Sequence, residues 1–256
     1  MAFVPDFRTY AGRAGVDAAT IDTGLRSYML RVYNWMVSGL LLTGVTAYGI
    51  ANTGLFDAFY HRVVTPYGVG LQPTGLAYLS MFAPLAFVMV LSFGVNRLST
   101  TATQALFWAF SVAMGASLTN IFFIYEHTSI ARTFFITAAT FGAMSLWGYT
   151  TRTDLSRMGS FLMMGLIGII LASVVNMFIG STGMQFIISI LGVLIFTGLT
   201  AFDTQRIKAD YVQHAYAQGT DLAAKRSVFD ALSLYLNFIN LFMLLLQLTG
   251  NRSSNN

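Results

Sequence analysis

The feature that most constrains this chain is a series of seven long stretches that carry almost no charge. A helix needs about 20 mostly apolar residues to cross the hydrocarbon core of a bilayer, and each stretch is close to that length. In lipid the backbone must satisfy its own hydrogen bonds, so spans of this kind are predicted to be helical. The stretches are Val32–Ile50, Leu76–Val95, Gln104–Tyr125, Arg132–Tyr149, Met158–Ile179, Met184–Phe202 and Val228–Leu248. The sequence therefore predicts an all-α polytopic membrane protein with seven transmembrane helices.

The composition excludes several other classes of protein. Charged residues make up 9% of the chain and hydrophobic residues 55%, whereas a soluble domain carries roughly 25% charged residues. Cysteine is absent, which excludes disulfides and cysteine-ligated zinc. The net charge of +4 arises from basic residues scattered through the connections and not from one basic stripe. We therefore expect membrane lipids as surroundings and no nucleic-acid partner.

The basic residues are divided unequally between the two sets of connections. Eleven of the 14 Lys and Arg residues lie on the side of the N-terminus and three on the opposite side. Because basic loops stay in the cytoplasm, the N-terminus is predicted to be cytoplasmic and the C-terminus periplasmic. Residues 1–24 then form a cytoplasmic tail, residues 25–250 the transmembrane domain and residues 251–256 a short external tail.

Two of the connections between the predicted spans are long. The segment Ala51–Gly75 contains two prolines and several glycines, a composition typical of turns and loops, and it is predicted to be external. The segment Arg206–Ser227 is predicted to be a long cytoplasmic connection between the last two spans.

Asp203 is the first candidate functional residue. It follows the 19 uncharged residues of the sixth span, and an ionisable group at such depth is a functional candidate by default. If the helix ends soon after it, the helix dipole disfavours the carboxylate, and a cation, a donor or a shared proton must hold it. The alternative is a local pair with Arg206, three residues further on. Both interpretations remain open from the sequence.

The seventh span carries the second signal, which is a stripe of polar residues along one face. At 100° per residue these residues fall within an arc of about 100°, so the stripe is expected to turn away from lipid into the bundle. The members of the stripe are Asp230, Ser233, Asn237, Asn240 and Gln247. The alternative is that they make interhelical hydrogen bonds that serve packing alone.

The sixth span ends, and the seventh begins, on the predicted cytoplasmic side. Asp203 and Asp230 are therefore expected at similar depth, with Asn237 about two turns further in. Arg97 follows the second span on the same side and is a candidate partner of Asp203. Since opposite charges, burial and neighbouring carboxylates all shift carboxyl pKa values, the sequence predicts a pH-sensitive cation pathway. The residues assigned to it are Asp203, Asn237, Asp230, Arg97, Ser233 and Asn240.

No catalytic arrangement is visible in the sequence. The histidines are His61, His127 and His214, and the predicted topology places two of them outside and one inside, so they cannot share a metal. The sequence contains no H-E-x-x-H motif and no phosphate or dinucleotide glycine pattern. We expect no enzymatic activity, no cofactor and no resident metal site.

Two motifs near the C-terminus carry a resemblance to a known family. They are Thr200–Lys208 (TAFDTQRIK) and Ala231–Phe242 (ALSLYLNFINLF). The segments Leu25–Tyr33 (LRSYMLRVY) and Ala105–Trp108 (ALFW) support them. Over about Leu25–Gly250 the chain resembles the Bax inhibitor-1 family, and within it the bacterial YccA-like branch.

The resemblance implies a seven-helix bundle with the last helix surrounded by the other six. It also implies a calcium leak of the bacterial inner membrane that responds to pH through two aspartates and an arginine. Asp203 matches the first aspartate, but the second falls on Asn237, which cannot titrate. Asp230, two turns before Asn237 on the same face, is our own candidate for a substitute.

The YccA-like resemblance implies a second role as well. Members of that branch are substrates and modulators of the membrane-bound AAA protease FtsH. The cytoplasmic tail, residues 1–24, suits such a contact. A membrane-embedded interaction protein is therefore the alternative to a cation leak.

Overall fold

The fold is a bundle of long helices with one small hairpin. The computed structural model describes residues 7–65, 68–94, 97–215 and 220–253. The helices are α1 (Phe7–Ala51), α2 (Phe56–Phe59), α3 (Gly75–Gly94), α4 (Thr100–Leu118), α5 (Ile121–Ile124), α6 (His127–Thr150), α7 (Ser156–Ile179), α8 (Thr182–Asp210) and α9 (Thr220–Thr249). A π-helical turn, Tyr211–Ala215, follows α8.

Six helices within the described ranges are long and apolar enough to cross a membrane. They are α3, α4 continued by α5, α6, α7, α8 and α9. This confirms the second to seventh predicted stretches and a multi-pass membrane fold. Helix α1 contains the first stretch but is not among the six, because polar residues such as Asn34, Ser38 and Thr43 dilute its apolar part. A seventh span therefore stays a prediction.

Helix α9 is the central helix of the described bundle. More than half of its apolar window, 56%, is buried, against 11% to 39% for the other five candidate spans. It packs against α1, α4, α6 and α8, with Tyr235, Phe238 and Leu241 buried in those contacts. In lipid, close packing and interhelical hydrogen bonds hold helices together, so the helix with the most neighbours anchors the others.

A buried hydroxyl network fastens α9 to α1 and α4. Thr43 donates a hydrogen bond to the carbonyl oxygen of Ser111, 2.9 Å away. The Thr43 hydroxyl also lies 2.7 Å from the hydroxyl of Tyr235. Since Thr43 has already donated its single hydrogen, Tyr235 is the donor in this second bond. Three helices are thus joined by two hydrogen bonds, and both hydroxyl groups have a partner.

The bundle has two distinct ends. The Asp154 face holds the connection between α6 and α7 and the end of α8, where Gln205 accepts from the backbone of Leu155 and donates to that of Thr153. The His127 face holds the start of α6 and the end of α9, where the backbone of Tyr125 pairs with that of Arg252.

Helix α1 reaches both faces. At the Asp154 face the ring of Tyr28 lies 4.8 Å from that of Tyr211. At the other end, Ala51 and Asn52 line one cavity together with His127. Helix α1 therefore runs through the thickness of the bundle.

The segment predicted as an external loop, Ala51–Gly75, has regular structure. It contains α2 and an antiparallel hairpin of β1 (Tyr60–Thr65) and β2 (Gly68–Pro73). The rings of Phe56, Tyr60 and Phe123 pack together under the hairpin, and the Arg62 guanidinium lies over the Phe56 ring. Burial raises the pKa of the Tyr60 hydroxyl.

The segment predicted as a long connection, Arg206–Ser227, is mostly helical, so that prediction is wrong. Helix α8 continues to Asp210 and α9 begins at Thr220. The end of α8 is supported by Lys208, whose ammonium donates to the Tyr149 carbonyl and lies over the Tyr149 ring. The uncharged run ends at Phe202, but the backbone hydrogen bonding of the helix continues to Asp210.

Helices α6 and α8 are in close contact near Asp203. A Cβ atom added to Gly148 of α6 would lie 2.2 Å from the carbonyl oxygen of Ala201. A Cβ atom added to Gly142, on the same helix, would meet nothing within 4 Å. Only the first glycine is required by packing.

We expect Gly148→Ala to lower the free energy of unfolding by about 1–3 kcal/mol, because the added methyl group forces α6 and α8 apart. Gly142→Ala is the matched control, and it should leave stability unchanged or raise it slightly through helix propensity. Thermal unfolding of both variants in the same detergent measures the difference. Equal destabilisation by the two changes would contradict the packing argument.

Candidate functional site

The site lies between α8 and α9, which pack side by side in opposite directions. Near the His127 face, Gln185 donates to the side chain of Gln247 over 2.8 Å. Near the Asp154 face, Asn237 contacts Asp203. Later residues of α8 therefore meet earlier residues of α9, as an antiparallel pair requires. A Cβ atom added to Gly192 would lie 2.6 Å from Leu244, so the helices approach closely between these points.

Asp203 is held through both of its carboxylate oxygens. The side-chain amide of Asn237 donates to one oxygen over 2.7 Å. The guanidinium of Arg206 forms a salt bridge with the other oxygen over 2.9 Å. Arg206 also donates to the hydroxyl of Ser233 over 3.3 Å. Asp203, Arg206, Ser233 and Asn237 thus form one connected group, which we call the Asp203 cluster.

The two charges of this cluster differ in exposure. The Asp203 side chain is 13% exposed and that of Arg206 is 42% exposed. A carboxylate withdrawn from water is costly unless charged or polar donors replace the lost hydration. Arg206 and Asn237 supply those donors, and Arg206 extends from the carboxylate toward the surface.

Arg97 was predicted as a partner of Asp203, and the structure places it elsewhere. It is exposed after the end of α3, and α3 packs chiefly against α4. The salt bridge of Asp203 is formed by Arg206, the local alternative. The physical reason is distance along the helix: residues three apart are neighbours on one face, whereas Arg97 follows a helix on the periphery.

Asp230 does not join Asp203 as a second carboxylate. Its carboxylate accepts a hydrogen bond of 2.5 Å from the hydroxyl of Tyr28 in α1. Arg206 nevertheless acts on Asp230 electrostatically. Asp230 is therefore near the Asp203 cluster, but its hydrogen bond fastens α9 to α1 and not to α8.

The polar stripe of α9 faces protein at most of its positions. Asn237 is buried and Ser233 half-buried. Gln247, although exposed, accepts hydrogen bonds from Gln185 and Ser189 of α8. Asn240 is exposed, so the expectation that the whole stripe turns inward is wrong at that position.

The expected conflict between Asp203 and the helix dipole is also absent. Helix α8 continues for seven residues beyond Asp203, which is about two turns. The dipole acts mainly within the last turn of a helix. The hydrogen-bond donors around Asp203 are thus required by its burial and not by the helix end.

Sequence reasoning missed Tyr28 and Gln185 as members of the polar contacts. Gln185 lies close to the start of a span, where a polar residue does not indicate a functional site. Tyr28 lies within the motif LRSYMLRVY, which was used for resemblance alone. Only the packing of α1 and α8 against α9 shows that these side chains complete the stripe.

The chemistry available at the site is that of oxygen ligands. The Asp203 cluster offers one carboxylate, one amide oxygen and one hydroxyl. Within the described ranges, no group of three or more His, Asp or Glu residues is positioned to hold a metal ion.

The comparisons with known proteins agree with this architecture. A family model described as inhibitor of apoptosis-promoting Bax1 matches residues 25–254. Protein RP147 of Rickettsia prowazekii is 46% identical over 234 residues, covering 91% of this chain and 93% of the relative. The inner membrane protein YbhL of Escherichia coli is 44% identical over 231 residues, covering 90% and 93%. A Caulobacter vibrioides protein is 42% identical over 247 residues, covering 95% and 96%.

We expect Tyr28→Phe to destabilise the protein by about 1–3 kcal/mol, because it leaves the half-buried carboxylate of Asp230 without its donor. Tyr78→Phe is the control, since that ring is exposed on α3 and should tolerate the loss of its hydroxyl. Unfolding in detergent measures both variants. A loss of stability no larger in Tyr28→Phe than in Tyr78→Phe would show that the contact contributes nothing.

Proposed function

Because this chain belongs to the Bax inhibitor-1 family, we propose that it is a pH-modulated cation leak gated by the Asp203 cluster, with calcium as the expected ion. The observation that carries the proposal is a nearly buried carboxylate within a candidate membrane span. Ionisable groups in such positions mark ion pathways and proton relays in membrane proteins. Asp203 contacts the central helix α9 through Asn237, so the proposed pathway runs along the interface between α8 and α9.

The proposed gate is the salt bridge between Asp203 and Arg206. In the closed state the guanidinium occupies the carboxylate and repels cations. Arg206 is the more exposed partner, so it can swing toward the Asp154 face while the backbone stays in place. A cation then meets the oxygens of Asp203, Asn237 and Ser233. One carboxylate binds weakly enough to release the ion, as conduction requires.

The proposed pH response follows from the charge of Asp203. Protonation removes the negative charge that attracts the cation, so flux falls as the solution becomes more acidic. Asn237 does not titrate, and its amide remains a donor at every pH. The response is therefore that of one carboxyl group and not of a coupled pair.

We place the protein in the bacterial inner membrane, as the name of the E. coli relative YbhL suggests for that protein. The excess of basic residues on one side favours a cytoplasmic N-terminus and a periplasmic C-terminus. Because α1 reaches both faces of the bundle, we propose that it supplies a seventh span.

A second candidate function is modulation of the membrane protease FtsH. Helix α1 has 45 residues and at 1.5 Å per residue is about 68 Å long, more than twice the roughly 30 Å of the hydrocarbon core. If α1 spans the membrane, its first turns project from it and are free to contact a partner. This candidate depends on those turns, whereas the leak depends on Asp203.

We expect Asp203→Asn to reduce calcium flux into dye-loaded liposomes by about tenfold or more, because a unit charge a few ångströms from the ion is lost. Arg206→Gln should raise flux, since the competing cation is gone. Asp221→Asn, an exposed carboxylate at the start of α9, is the control and should leave flux unchanged. Wild-type flux in Asp203→Asn would remove the basis of the leak.

The same assay across pH tests the role of Asn237. Wild-type flux should fall on acidification, and the low flux of Asp203→Asn should not depend on pH. Asn237→Asp brings a second carboxylate within hydrogen-bond distance of the first, and two such groups cannot both ionise freely. The fall in flux should then begin at a higher pH than in the wild type.

Removal of residues 1–21 separates the two functions. The leak predicts unchanged calcium flux in this variant. Modulation of FtsH predicts altered degradation of membrane substrates by FtsH in this variant and normal degradation in Asp203→Asn. Altered degradation by FtsH in the truncated variant, together with wild-type calcium flux in Asp203→Asn, would favour the interaction protein over the leak.

The cysteine-free chain allows a direct test of topology. Asn52→Cys and Asn251→Cys should react with a membrane-impermeant maleimide in spheroplasts, because both positions lie at the His127 face. Asp22→Cys and Asp154→Cys should react only after permeabilisation. Labelling of Asp22→Cys and Asn52→Cys from the same side would refute the seventh span.

A further inference from the structure

A long apolar groove opens between α1 and α6 on the surface of the bundle. Helix α1 packs against α4 and α9, and α6 packs against α8 and α9, so the floor of the gap is α9. The groove consists of two adjoining cavities of about 1010 Å³ and 340 Å³. They share Leu40, Gly44, Tyr48, Phe134 and Phe238.

The walls of the groove present hydrocarbon to an occupant. Two of its polar side chains, Tyr33 and Ser145, are hydrogen-bonded to each other. Ser145 also lies 2.9 Å from the hydroxyl of Thr204 in α8. These hydroxyl groups are therefore satisfied within the protein. The groove therefore suits an apolar chain better than a polar ligand.

The end of the groove at the Asp154 face carries a positive charge. Arg26 lines the larger cavity there, together with Tyr149. Arg26 is exposed, and its side chain forms neither an ion pair nor a hydrogen bond with any of the described residues. Tyr149 lies beneath the ammonium of Lys208. An apolar groove with basic residues at one end matches the acyl chain and the charged headgroup of an anionic lipid.

We propose that the groove is a binding site for an anionic phospholipid of the leaflet at the Asp154 face. Its acyl chain lies over Phe238 between α1 and α6, and its phosphate pairs with Arg26. Basic positions beside gaps between membrane helices bind lipid headgroups in this way. The site is independent of the proposed leak, because none of the Asp203 cluster lines it.

The lining of the groove favours an acyl chain as the occupant, because almost all of its surface is apolar. An extended acyl chain is one carbon chain wide and enters without displacing α1 or α6.

The test uses native mass spectrometry of the full-length protein with added phosphatidylglycerol or phosphatidylcholine. Gly142→Leu fills the groove, because a side chain at Gly142 meets open space. Gly168→Leu is the matched control, since Gly168 of α7 also faces open space but lies away from the groove. Arg26→Gln removes the headgroup partner. A phosphatidylglycerol with a photoreactive acyl chain maps the contact on the wild-type protein.

We expect Gly142→Leu to lose the bound phosphatidylglycerol that Gly168→Leu and the wild type retain. Arg26→Gln should weaken binding of phosphatidylglycerol about fivefold, the effect of one basic residue, and abolish its preference over phosphatidylcholine. Cross-links should fall on α1, α6 and the region of Phe238.

Three results would each overturn the proposal. Equal lipid retention by Gly142→Leu and Gly168→Leu would place the acyl chain elsewhere. An undiminished preference for phosphatidylglycerol in Arg26→Gln would place the headgroup elsewhere. Dissociation of an oligomer by Gly142→Leu would make the groove an interface between protein chains.

Discussion

A carboxylate two turns inside a membrane helix persists only where donors meet both of its oxygens, and the pairing of α8 with α9 depends on that requirement. Asn237 of α9 reaches one oxygen of Asp203, and Arg206 of α8 reaches the other. The amide contact fixes how far α9 can slide along α8. Gln185 and Gln247 repeat the constraint at the other end of the pair. Among the many apolar contacts of the bundle, such directional contacts select one register of α8 against α9.

The length of apolar stretches predicted six of the spans because the bilayer sets that length, and lipid leaves the backbone few other choices. The meeting of Asp203 with Asn237 followed from the resemblance, which places the second aspartate of the family at Asn237. The spacing of the residues alone put Asp203 level with Asp230 and Asn237 about two turns deeper, and the observed contact contradicts that expectation. The partner of Asp203 was harder to predict. Arg97 and Arg206 have the same charge on the same side, and only the continuation of α8 past Asp203 favours the local residue.

Other features depend on contacts between distant parts of the chain. Tyr28 meets Asp230 only because α1 crosses α9 at that depth, and no local pattern records that crossing. The hairpin of β1 and β2 arises in a segment whose prolines and glycines indicated a loop. Its support comes from the ring of Phe56 and from that of Phe123, which lies 67 residues after Phe56 in the sequence. Asn240 belongs to the polar stripe by spacing, yet it is exposed because the neighbouring helices leave that part of α9 uncovered.

The central position of α9 has a consequence for biosynthesis. A chain emerges from the ribosome in sequence order, and earlier segments begin to fold first. Here the segment on which α1, α4, α6 and α8 converge is the last long helix to be made. Until it is made, the earlier helices have only their contacts with one another, such as α1 with α4 and α6 with α8. A chain that ends before Thr220 would leave Asp203 with Arg206 of its own helix and without the donor amide of Asn237.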